Sequence, residues 1–62
     1  ETERESWLQF FGNPDTTVLL SSEAALLQRL HEGTLDYYTL GKYKLVLNAN
    51  QDGLLTSLIL LE

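Results

Sequence analysis

Apolar and polar residues alternate most cleanly between Lys42 and Ala49. Tyr43, Leu45, Leu47 and Ala49 fall on one side; Lys42, Lys44, Val46 and Asn48 fall on the other. A period of two predicts a strand. Asn50-Gln51-Asp52-Gly53 reads as a hairpin loop, with Gly53 supplying the positive φ that follows a type I turn. Leu54 to Leu61 is then the returning strand. Upstream, Thr34 to Leu40 has two readings: one helical turn capped by Thr34 and ended by Gly41, or a short strand reversing near Gly41. Its Tyr and Thr content favours the strand.

Two segments carry helical spacing. Trp7 and Phe11 are four apart, within an apolar cluster that includes Leu8 and Phe10. That places both on one face of a helix over 3–11. Glu1, Glu3 and Glu5 suit its N-terminus, and Gly12-Asn13-Pro14 stops it. The second helix is predicted over 22–32. Ser21 or Ser22 caps it, Glu23 lies in its first turn and Gly33 ends it. Leu26, Leu27 and Leu30 form its expected buried stripe, while Glu23, Gln28, Arg29 and Glu32 face water. Between the helices, β-branched and apolar Thr16 to Leu20 predicts a strand. The fold class that results is α+β: a small antiparallel sheet, made of a three-stranded C-terminal meander plus an N-terminal strand, packed by one or two helices.

The last strand breaks the half-buried pattern. Strict alternation puts Leu54, Thr56, Leu58 and Leu60 on one side and Leu55, Ser57, Ile59 and Leu61 on the other. Six large aliphatic side chains are thus shared between two faces, where a half-exposed strand would show polar residues on one. Burying one such side chain is worth ~1.5–3 kcal/mol. Either the two helices cover the two faces within one copy, or one face meets a neighbouring chain or the rest of a longer parent protein. The strand carries no Lys or Pro to block edge pairing.

Size sharpens the question. The 62 residues read as one domain, 1–62, and the start at Glu1 suggests a piece of a longer protein. A domain this small has a core that rarely supplies more than ~3–5 kcal/mol without a staple. With no Cys, neither a disulfide nor a thiolate zinc site is available, which leaves association as the remaining common device. A symmetric pair serves best, because one patch satisfies both partners.

Charge excludes some partners. Nine acids against four bases give −5 with His31 neutral, which argues against nucleic acid. No apolar run approaches the ~18 residues of a membrane-spanning helix. The one basic-aromatic grouping, Tyr37, Tyr38 and Tyr43 with Lys42 and Lys44, is too small to reverse that field. The acidity does suit an alternative role, a small inhibitor that covers a basic protein surface.

No residue pattern points to catalysis, a cofactor, a metal or a small-molecule substrate. His31, the only His, is placed in the last turn of the second helix, where the helix dipole favours a cation. Ser21 and Ser22 precede a helical run and read as caps. Asp36 and Asp52 have nothing to bring them together. The spacing of Asn48, Asn50 and Asp52 lacks the glycine and the distal Glu of a calcium loop. Gly12, Gly33, Gly41 and Gly53 are isolated, so no phosphate-cradling loop exists. The sequence therefore predicts a non-enzymatic protein–protein interaction domain, a homodimer through apolar sheet surface. Trp7, Phe11, Tyr43, Leu55, Leu58, Ile59 and Leu61 are its expected interface residues.

Overall fold

The computed structural model describes residues 2–62. It is a small α+β fold: α1 (Arg4–Phe11), β1 (Thr16–Leu20), α2 (Ser22–Gln28), β2 (Gly33–Leu40), β3 (Tyr43–Asn50) and β4 (Leu55–Leu61). The four strands form one antiparallel sheet in the order β1-β2-β3-β4. Residues 34–40 are strand, as their Tyr and Thr content predicts. The β2–β3 turn is the two-residue loop Gly41-Lys42, with Gly41 at φ 63°. In the β3–β4 loop, Asn50 Oδ1 accepts from the backbone N–H of Asp52 and of Leu54.

One helix packs on each side of the sheet. Trp7 of α1 joins Tyr38, Leu45, Leu47 and Ala49 in one core cluster, with Leu8 and Leu55 at its margin. On the opposite side, Ala25 of α2 meets Leu20, Leu35 and Val46, with Ala24 and Leu30 alongside. β3 contributes to both clusters. Its residues 45–49 are buried throughout, because strands and helices enclose it on every side.

The second helix differs from its prediction. It ends at Gln28, not at residue 32, and Arg29 takes the left-handed conformation expected of Gly33. The chain closes with Leu30 N–H donating to Ala25 O and Arg29 N–H to Leu26 O. Ala25 faces the sheet, which rotates the next two positions away from it. Leu26 and Leu27 are therefore 79% and 86% exposed, and the expected buried stripe holds only at Leu30. His31 lies in the loop beyond the helix, not in its last turn. Gly33 instead opens β2. A Cβ built there would sit 2.0 Å from Ala49 O, so close backbone approach is what requires glycine.

β4 also departs from strict alternation. The register slips between Asn48 and Ala49: Asn48 pairs with Ser57, whereas Ala49 pairs with Leu55. Thr56 is the extra residue of this bulge, and its hydroxyl donates to Asn48 O at 3.1 Å and Asn48 Oδ1 at 2.9 Å. The slip reverses side-chain parity. Leu55 thus shares the α1 side with Leu58 and Leu60, while Ile59 and Leu61 lie on the α2 side.

Candidate functional site

Two buried polar groups lock the helices to the sheet. Asp36, in mid-β2, is fully buried on the α1 side. Arg4 grips it with two parallel bonds, Nε to Oδ2 at 2.7 Å and Nη2 to Oδ1 at 2.9 Å. Trp7 Nε1 donates to Oδ2 at 2.9 Å and Thr17 Oγ1 to Oδ1 at 2.7 Å. Burial alone would raise the Asp36 carboxyl, but the bonds from Arg4, Thr17 and Trp7, together with the Arg4 charge, hold it below the ordinary carboxylate range. The Asp36 hydrogen bond raises the Arg4 guanidinium in turn, outweighing its own desolvation. Burial raises the phenol of neighbouring Tyr38, with the Asp36 charge acting in the same direction.

Asn48 plays the corresponding part on the α2 side. Its Nδ2 donates to the carbonyls of His31 and Thr34 at 3.1 and 3.0 Å, and its Oδ1 accepts from His31 N–H at 2.8 Å. It thereby anchors the loop that leads out of α2. Every hydrogen-bonding group of Asp36 and Asn48 that contacts the protein is committed to structure. Neither is presented to a cleft. Asp52 sits in the β3–β4 loop, far along the chain from the Asp36 clamp, and forms no pair with it.

The chemistry of the surface is sparse. Among the described residues, no group of three His, Asp or Glu could hold a metal ion. No helix among the described residues is long and apolar enough to cross a membrane. The Tyr–Lys grouping is split by the pleat: Tyr38 is buried under α1, where its hydroxyl donates to Gly12 O at 2.8 Å, while Tyr37 and Lys44 point to the α2 side. An open depression of about 420 Å³ lies there, bordered by Val18, Tyr37 and Lys44. The Lys44 ammonium is turned to Thr39 Oγ1 at 2.9 Å, and Thr39 in turn donates to Asp15 Oδ2 at 2.7 Å.

The conspicuous surface is apolar and belongs to β4. Leu58, Ile59, Leu60 and Leu61 are 59%, 36%, 56% and 53% exposed. Phe11 and Tyr43, half-exposed, lie on the α1 side of the same end of the sheet. Leu55 is partly buried at the margin of the Trp7 cluster. Trp7 itself is core: its ring is under α1 and its N–H is taken by Asp36, so it contributes nothing to an exposed patch. Composition flagged Trp7 as an anchor; its pairing with an acid 29 residues away is invisible locally.

Beyond Thr56, no strand among the described residues lies against the outer side of β4. At its start, however, the outer side is occupied. Leu55 N–H donates to Thr2 O at 2.7 Å and Arg4 N–H to Gly53 O at 2.7 Å, with Glu3 bridging antiparallel to Leu54. Comparison with protein-family models, with curated proteins and with solved structures finds no match to this chain.

Proposed function

We propose that this chain is a non-enzymatic interaction domain that binds a second copy of itself through the apolar surface of its sheet. The observation that carries the reading is the exposure of Leu58 to Leu61 on both sides of one strand. Together these four expose the equivalent of about two whole aliphatic residues, an unused burial of roughly 3–6 kcal/mol per copy. Contiguous apolar patches on a monomer mark interaction sites. A two-fold pair uses the same patch twice, and so gains twice from it.

Sedimentation equilibrium from micromolar to millimolar protein tests the reading. The unmodified chain is expected to shift from monomer to dimer with concentration. Leu58→Asp is expected to stay monomeric with an unchanged circular dichroism spectrum, since residue 58 is already half in water. A chain that remains monomeric throughout that range overturns the proposal.

A further inference from the structure

The geometry points to one mode for that pair: edge-to-edge pairing, with β4 of one copy antiparallel to β4 of the other, Leu58 opposite Leu60 of the second copy and Ile59 on the two-fold axis. The two four-stranded sheets would then form one continuous sheet of eight. This rests on the self-association proposed above and specifies how it occurs.

Three observations carry it. The first is backbone direction. In a two-residue hairpin the flanking pair, here Leu40 and Tyr43, exchanges both hydrogen bonds. Alternation along β3 then turns Lys44, Val46 and Asn48 toward β4, where they meet Leu61, Ile59 and Ser57. The backbone N–H and C=O groups of Leu58 and Leu60 consequently point outward, with no partner among the described residues. Placing Leu58 opposite Leu60 of the second copy satisfies all of them by symmetry, with four hydrogen bonds.

The second is side-chain parity. Leu58 and Leu60 stand on the α1 side, opposite Leu47 and Leu45, and Ile59 stands on the α2 side, opposite Val46. A two-fold axis perpendicular to the sheet keeps each side in register with itself, so Leu58 meets Leu60 and Ile59 meets Ile59. A face-to-face contact would bury one side of β4 and leave the other wet. Only an edge contact adds neighbours on both sides at once.

The third is that this edge already accepts an antiparallel strand. Thr2 to Arg4 pair with Gly53 to Leu55 on the same outer side, beside the stretch proposed to pair. No charged residue lies between Gly53 and Glu62 to oppose pairing. In the proposed register Glu62 falls opposite Thr56 of the second copy, so the two Glu62 carboxylates do not face each other.

Cysteine cross-linking tests the mode, because the chain has no Cys of its own. Ile59 would face its symmetry mate as a non-hydrogen-bonded pair, with Cα atoms ~4.5 Å apart, within disulfide reach. Packed sheet faces lie ~10 Å apart, beyond it. Ile59→Cys is expected to form a disulfide-linked dimer rapidly under mild oxidation, and Phe10→Cys, exposed on α1, is not. Leu60→Pro removes the outward N–H without touching a bond to β3; it is expected to weaken the dimer about tenfold or more while the fold persists. If the unmodified chain dimerises on dilution analysis but Ile59→Cys links no faster than Phe10→Cys, or Leu60→Pro leaves the dimer unchanged, edge pairing is overturned and self-association stands. If no concentration yields a dimer, both fall.

Discussion

β3 and β4 lie side by side, and their composition and their burial run in opposite senses. β3 carries Lys44, Asn48 and Asn50 among its eight residues, yet its residues 45–49 are the most enclosed stretch of the molecule. β4 has no charged residue at all, and its last four residues are about half exposed. Position in the sheet, not hydrophobicity, decides which strand is covered. β3 has a strand on each flank and a helix over each side, whereas residues 58–61 of β4 have a strand on one flank among the described residues and belong to neither helix-centred core cluster. The lesson is that an apolar strand placed at an edge is surplus to the core of one copy. The surplus is what a second copy can use.

The sharpest way to break this contrast is to attack the inner side of the sheet at its polar lock. Asp36→Ala strips the partner from Arg4 and from the Trp7 N–H, and is expected to cost about 3–5 kcal/mol in urea unfolding. Acid should act in the same direction. The folded carboxyl lies below its unfolded value, so the stability it contributes is present above about pH 4 and is lost as the pH falls through the folded value. Denaturation midpoints measured from pH 6 to pH 2 check this: the unmodified protein should weaken over that window more than Asp36→Asn does.

A matched pair of truncations sharpens the comparison further. Leu47→Ala opens a void beside Trp7 and should cost about 2–5 kcal/mol. Leu60→Ala, two rows away on the same side of the sheet, should change monomer stability by about 0.5 kcal/mol or less and weaken self-association instead. Equal losses of monomer stability at the two sites would show that the edge is not surplus.

The smallest effect expected is that of salt. Each copy carries −5, so bringing two together meets repulsion that ions screen. Raising sodium chloride from low to about physiological strength or above should tighten the dimer a few-fold. An inhibitor steered onto a basic surface would lose affinity instead, and sedimentation at two ionic strengths separates the two behaviours.

The strands and their reversals were legible because they depend on near neighbours. Alternation over 43–49 and the glycines at 41 and 53 are local signals, and local geometry obeyed them. The errors lie where a distant residue decides. α2 stops early because Arg29 takes the left-handed turn and Leu30 folds back to the core, so alanines and not leucines face the sheet. The parity of β4 slips because Asn48 reaches across to Thr56. Asp36 looks like any acid between apolar neighbours. Its one signal was its place on the same side of the strand as Tyr38, a core position for which Arg4 is the compensating charge 32 residues earlier. The apolar surface of β4 was legible from composition alone; that Trp7 belongs to the core and not to that surface was not.

The short bridge between Thr2–Arg4 and Gly53–Leu55 joins positions about fifty residues apart. Hairpins close through neighbouring residues and form within microseconds, whereas so wide a ring must await the structure that holds its far end. Contact order therefore predicts that the β2–β3–β4 meander assembles before the opening helix docks, an order that pulse-labelled hydrogen exchange would reveal. Deleting the final strand would therefore remove one attachment of α1, at the opposite end of the chain, and leave it held by the Asp36 clamp and the packing of Trp7.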